Sequence, residues 1–194
     1  MVAVTHVVYE AEGWGVGELV AEDGRVVWHE LPRPRRPHDG LRALAASQDP
    51  SQTPTHPGRG AVGAVLSREV PRADRSFLTE VVRLVQTYLA GRAPPEALRE
   101  VPVDLEYETE FSSRCADALR AVPRGEVVTY GELAALAGAP GAARAAGSFC
   151  ARNRLGLFVP CHRVVSAGGL GSYGSLGLAY KRRLLALEGW PGAL

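Results

Sequence analysis

Lysine is nearly absent from this 194-residue chain: Lys181 stands alone among 22 basic residues, and the rest are arginine. Such usage often follows genome composition, although arginine also suits bidentate phosphate contacts. Cysteine is scarce too. Cys115, Cys150 and Cys161 cannot form a disulfide framework, and none lies in a CxxC pair. A reduced, cytoplasmic compartment is therefore expected. His6, His29, His38, His56 and His162 are scattered and have no close cysteine pair to complete a site, so no metal and no cofactor is expected. No apolar run approaches the roughly 18 residues of a membrane helix, which argues against a membrane partner. The N-terminus has no basic stretch leading into an apolar one and does not read as a secretory signal.

What is present is ordinary globular material, 46% hydrophobic and 22% charged, enough for one large domain or two small ones. Thr5–Tyr9, Gly17–Ala21 and Arg25–Leu31 read as strands, the last two joined by an Asp23-Gly24 hairpin turn. Residues 32–60 are rich in proline, serine and glutamine and read as a loop or mobile segment, with one more strand expected over Ala61–Val70. Phe77, Val81, Leu84, Val85 and Tyr88 predict a helix over about 74–90 that Asp74 caps. Val101–Leu105 reads as a short strand. Phe111, Cys115, Ala118, Leu119 and Val122 mark a second helix.

Thr129-Tyr130-Gly131-Glu132 fits a capping box, with Leu133, Leu136 and Ala137 as the apolar face of the short helix that follows. A Gly138-Ala139-Pro140-Gly141 turn then leads to a small-residue helix from Ala142 to about Arg152, which makes a helix-turn-helix candidate. Packed helix pairs with no DNA role are common, so the charge distribution matters. The formal net charge of +1 splits into −2 over residues 1–104 and +3 over 105–194. No acid lies between Glu132 and Glu188, whereas Arg144, Arg152, Arg154, Arg163, Lys181, Arg182 and Arg183 all do. A one-sign stretch around a helix pair is an electrostatic footprint for a phosphate backbone.

The chemistry sits in Leu157-Phe158-Val159-Pro160-Cys161-His162-Arg163-Val164-Val165. A free thiol with a pKa near ~8.5 is only about 3% thiolate at pH 7, and a cysteine between proline and His-Arg occupies a setting able to lower that pKa. The Pro160–Val164 run resembles the active-site signature of the O6-alkylguanine-DNA alkyltransferases, the methylated-DNA–protein-cysteine methyltransferases. The flanks agree in order and spacing from about Leu105 to Gly189: Gly125–Ala134, Ala143–Gly147, Asn153, Lys181, Leu184-Leu185 and Glu188-Gly189.

This resemblance implies an α+β protein. A small N-terminal sheet domain of ribonuclease-H-like type (1–104) would precede a mainly helical DNA-binding and alkyl-acceptor domain (105–194). It also implies a monomeric, single-turnover repair protein that flips an alkylated guanine out of double-stranded DNA, because the O6 substituent cannot meet a buried thiolate inside the duplex. Cys161 would accept the alkyl group. His162 would take its proton through a water, and Glu188 would orient that imidazole. Tyr130 would protonate guanine N3. Asn153 would tie the second helix to the active-site turn. Arg144 would fill the space left by the flipped base, with Ala143, Gly147 and Ser148 giving a slim face for the minor groove. Backbone groups at Val164, Tyr173, Gly174 and Ser175 would hold the base.

Two departures from the family pattern stand out. Arg154 follows Asn153 where proline is common, and Tyr173 is displaced by one position relative to Cys161. Rival readings are an alkyltransferase-like lesion binder, which typically lacks the cysteine, a Cys161–His162 hydrolase, and a plain helix-turn-helix regulator. Side chains of adjacent residues in an extended segment point to opposite faces, which disfavours the hydrolase.

Overall fold

The computed structural model describes residues 4–34, 72–94 and 96–193. Three strands, β1 (Val4–Ala11), β2 (Gly15–Glu22) and β3 (Arg25–Arg33), form an antiparallel sheet in the order β1-β2-β3. The second connection is the expected tight turn. Asp23 and Gly24 both have positive φ, 48° and 71°, the backbone that a two-residue hairpin needs to match strand twist. Alternation along the strands, with a register shift that leaves one extra residue in β3 between Val26 and Trp28, turns Tyr9, Leu19, Ala21, Val26 and Leu31 inward. Helix α1 (Arg72–Leu89) covers this face with Leu78, Val81, Val85 and Tyr88. The Trp14 indole donates to the Leu89 carbonyl at 2.9 Å and pins the helix end.

Three local expectations are corrected. Strand β3 continues through Pro32 to Arg33, so the proline-rich segment starts later than its composition implies. The rest of that segment and the expected strand at Ala61–Val70 lie outside the described residues. Helix α1 begins at Arg72, which places Asp74 within its first turn rather than at the cap. Val101–Leu105 is not a strand. Val103 makes one isolated parallel bridge to Val26, held by Val26 N to Pro102 O at 3.0 Å and Asp104 N to Val26 O at 2.9 Å.

Helix α2 (Glu110–Ala121) begins at Thr109, whose side chain accepts from Ser112 N, and buries Cys115, Ala116 and Leu119. Strand β4 (Val128–Thr129) leads into α3 (Tyr130–Leu136), and both arms of the Thr129–Glu132 capping box are formed. A turn with left-handed glycines at Gly138 and Gly141, φ 77° and 89°, brings the chain back into α4 (Ala143–Arg152). Leu133, Ala134, Ala146 and Phe149 are the buried residues of this helix pair. The chain then returns to β5 (Val164–Val165), which pairs in parallel with β4, and ends in α5 (Gly177–Glu188). Buried residues of the sheet, α1 and the later helices form one continuous hydrophobic cluster. Among the described residues no helix is long and apolar enough to cross a membrane.

Candidate active site

Residues 161–163 form a single 3-10 turn rather than the extended segment expected, and Cys161 and His162 leave it for different surroundings. The approach to this turn is constrained. Leu157 holds a left-handed backbone with φ 69°, a conformation that costs a bulky residue about 1–3 kcal/mol and persists only where packing dictates it. Here the Leu157 side chain is buried, and Val159 N donates to Leu155 O at 2.8 Å across the bend.

Asn153 connects α4 to this bend. Its Nδ2 donates to the Val159 carbonyl at 2.7 Å and to Cys161 Sγ at 3.2 Å. Its Oδ1 accepts from Leu155 N at 3.0 Å and from the Tyr107 hydroxyl at 3.1 Å. The amide is thus saturated, and its orientation is fixed by the Leu155 N–H, a donor that only the oxygen can accept.

His162 is fully buried. Its Nε2–H donates to Glu188 Oε1 at 2.9 Å, which leaves Nδ1 as the bare nitrogen, and Nδ1 has no partner among the described residues. Burial lowers the imidazole's pKa despite the neighbouring carboxylate, so the ring is a neutral base. Glu188 has further partners that the sequence did not reveal. Arg163 donates through Nε to Oε2 at 2.9 Å and through Nη2 to Oε1 at 2.7 Å, and the Tyr88 hydroxyl also donates to Oε1. Burial alone would raise the Glu188 pKa. The hydrogen bonds from His162 and the Arg163 guanidinium outweigh it and hold the carboxyl well below the usual carboxylate range.

Cys161 is half-buried at the wall of a cavity of about 510 Å³. Tyr130, Gly147, Asn153, Tyr173, Gly174 and Ser175 line the same cavity. Gly171 leaves room for the Tyr130 ring: a Cβ there would lie only 3.1 Å from the hydroxyl, whereas one at Gly147 would sit in ordinary contact, 3.9 Å from ring carbons. The wall opposite the helices comes from β3, through Trp28, Glu30 and Leu31, which no local sequence signal had marked. The thiol is not activated in the resting state. Burial pushes its pKa up, opposed chiefly by the Asn153 amide and the Lys181 ammonium. The lowered pKa expected from the Pro-Cys-His-Arg setting is therefore absent. Arg163 is committed to Glu188, and the imidazole is neutral.

Other predicted residues stand apart. Val164 does not line the cavity, and its carbonyl accepts from Lys181 Nζ. Ala143, Arg144 and Ser148 lie on the outer part of α4, where Arg144 and Ser148 are exposed. The basic footprint also shrinks. Lys181 is fully buried and also donates to the Leu170 and Ser172 carbonyls. Arg154 pairs with Asp104 at 2.7 Å and lies over the Tyr107 ring. Arg183 donates to Gly13 O at 2.7 Å and covers Trp14.

Residues 110–190 match the family model described as the DNA binding domain of 6-O-methylguanine DNA methyltransferase. The methylated-DNA–protein-cysteine methyltransferase of Mycobacterium bovis is 37% identical over 150 residues, 76% of this chain and 78% of that one. This chain belongs to the methylated-DNA–protein-cysteine methyltransferase family. The human enzyme of that name is 45% identical over 102 residues, 49% of each chain. In structure, the Mycobacterium tuberculosis protein solved in complex with DNA superposes with a TM-score of 0.66 and 30% identity, covering 97% of this chain and 96% of that one. Membership makes the cavity beside Cys161 the place to look for the transfer chemistry.

Proposed function

We propose that this protein repairs duplex DNA by moving the alkyl group of O6-alkylguanine irreversibly onto Cys161, acting once per molecule, as a monomer in the cytoplasm. In this reading residues 1–104 form a ribonuclease-H-like domain and residues 105–194 the DNA-binding and acceptor domain. Helices α3 and α4 act as a helix-turn-helix in the minor groove. The observation that carries the reading is the shared cavity: a thiol, a phenol and an amide converge in about 510 Å³, within the size range of small-ligand pockets.

The steps follow from the hydrogen bonds. With Nε2–H committed to Glu188, the base must be His162 Nδ1, which takes the Cys161 proton through one water. The thiolate then attacks the alkyl carbon in line. The S–C bond forms and the C–O6 bond breaks, and its electron pair passes into the guanine. Tyr130 supplies a proton to N3, so guanine leaves neutral; the proton that His162 took from the thiol then returns through solvent to the Tyr130 phenolate, so the one proton lost by the thiol equals the one gained by guanine. Asn153 holds the sulfur in position. Backbone groups at Tyr173, Gly174 and Ser175 hold the base. The α4 N-terminus has no side-chain cap, so its free amides beside Ala143 suit a phosphate, while Arg144 fills the space left by the flipped base and Gly147 and Ser148 keep the face slim.

The test is intact mass after incubation with duplex DNA carrying O6-methylguanine. One added methyl group, mapped to Cys161 and abolished in Cys161→Ala, is expected. Tight lesion binding with no mass gain would replace this reading by a lesion-binding module.

A further inference from the structure

Near the Cys161 cavity two buried polar atoms have no hydrogen-bond partner among the described residues: His162 Nδ1 and the Tyr173 hydroxyl. The first is the base of the proposed transfer. The second is unexplained, because a buried hydroxyl without a partner is costly and rarely persists without a role.

The Tyr173 ring is held in place. It stacks on Tyr180 with centroids 6.2 Å apart and planes 23° from parallel, and the Tyr180 hydroxyl is anchored to the Pro32 carbonyl at 2.7 Å. Gly177 N donates to Tyr173 O at 3.0 Å and closes the turn that carries the tyrosine. Tyr173 and Cys161 line the same cavity.

We propose that the Tyr173 hydroxyl donates a hydrogen bond to the Cys161 sulfur once the thiol has lost its proton, making Tyr173 a second neutral donor to the thiolate alongside Asn153. A neutral thiol is a weak acceptor, so the hydroxyl is unpartnered in the resting state. The thiolate is a charged acceptor and receives a stronger bond. No proton leaves Tyr173. Burial raises its pKa well above the ordinary value, and Cys161 raises it further, so it remains a donor. The other titratable groups acting with Cys161 are Lys181 from α5, Cys150 from α4 and Tyr107 from the segment before α2. The Lys181 ammonium is the charged one, and carbonyls fix it in place. After transfer the sulfur is an uncharged thioether, and this bond is lost.

The inference rests on Cys161 acting as a thiolate nucleophile, so its test is separated from DNA. Tyr173→Phe removes the hydroxyl and keeps the ring on Tyr180. The rate of Cys161 carboxamidomethylation by iodoacetamide is followed from pH 6 to 10 by peptide mass, on protein whose melting temperature matches the parent. A bond to a charged acceptor is worth enough to move the midpoint up by about one to two pH units, so modification near pH 7 should slow by about tenfold or more and recover at high pH. A variant profile that superimposes on the parent's would overturn the proposal, even if the parent accepts a methyl group from O6-methylguanine. Failure of the parent to accept that methyl, with the midpoint still shifted, would count against the proposed function and not against the hydrogen bond.

Discussion

The Glu188 carboxylate offers the most direct test of how the site is built. It is buried, as are Arg163 and His162, and it receives hydrogen bonds from His162 Nε2, Arg163 Nε, Arg163 Nη2 and the Tyr88 hydroxyl. At 2.7 Å the Arg163–Glu188 attraction is about 6 kcal/mol for an effective dielectric near 20, most of it offset by the desolvation of both ions. Glu188→Gln keeps the shape and an acceptor for His162 but leaves the guanidinium buried without a counter-charge. The expected loss of stability in urea unfolding at pH 7 is about 3–5 kcal/mol. Adding Arg163→Met should restore much of it, since replacing both ions is far cheaper than stranding one. The pH dependence has a defined sign. Because the folded carboxyl sits below its unfolded value of ~4.3, its contribution is complete above that pH and drains away as pH falls further. Glu188→Gln should flatten that acid limb. A loss under about 1 kcal/mol, or a double variant no better than the single one, would refute the buried-pair reasoning.

Two further outcomes follow from named groups. Arg144→Ala should slow methyl transfer from duplex DNA far more than transfer from free O6-benzylguanine, measured as two rate constants on the same preparation; equal losses would remove Arg144 from its proposed place in the base stack. His29, whose Nδ1–H donates to the Gly156 carbonyl while Nε2 accepts from the Tyr9 hydroxyl at 2.6 Å, has its pKa lowered by burial to about 4. It stays neutral in the folded chain while the unfolded chain takes a proton below ~6.5, so stability should fall by about 3 kcal/mol between pH 6.5 and 4. Urea midpoints across that range should fall in the parent and hold steadier in His29→Gln, and parallel decline in both would exclude His29 as the cause.

Local rules made the hairpin at Asp23-Gly24, the α2 register and the Thr129–Glu132 box readable, because turn backbone, apolar spacing and capping involve residues within a few positions of one another. The Cys161, Tyr130, Asn153 and Tyr173 grouping was readable only through family resemblance, and the cavity brings those four together. What stayed hidden was non-local. Tyr88 reads as one more apolar position on α1, yet its hydroxyl reaches Glu188, 100 residues away. Arg154, where family members commonly have proline, binds the Val27 carbonyl and Asp104, tying β3 to the chain beside Asn153. Strands β4 and β5 are two residues each, too short for any periodicity to announce.

Charge shows how position overrides count. The acid-free stretch between Glu132 and Glu188 looked like a surface for phosphate, but only some of its cations are available for that. Arg163 is neutralised by Glu188 and Arg154 by Asp104, and Arg183, though exposed, is held by Gly13 and Trp14; Arg144, Arg152 and Arg182 are the other exposed cations of the stretch. A DNA-binding face with so few free cations loses affinity less steeply with salt than the sequence count implies, since the slope scales with the phosphates neutralised. Lys181 differs from all of these. Its partners are carbonyl dipoles rather than a carboxylate; burial lowers its own pKa, and its ammonium in turn lowers that of Cys161 against the effect of burial. The lone lysine acts on the sulfur from the interior, and its hydrogen-bond partners are carbonyls.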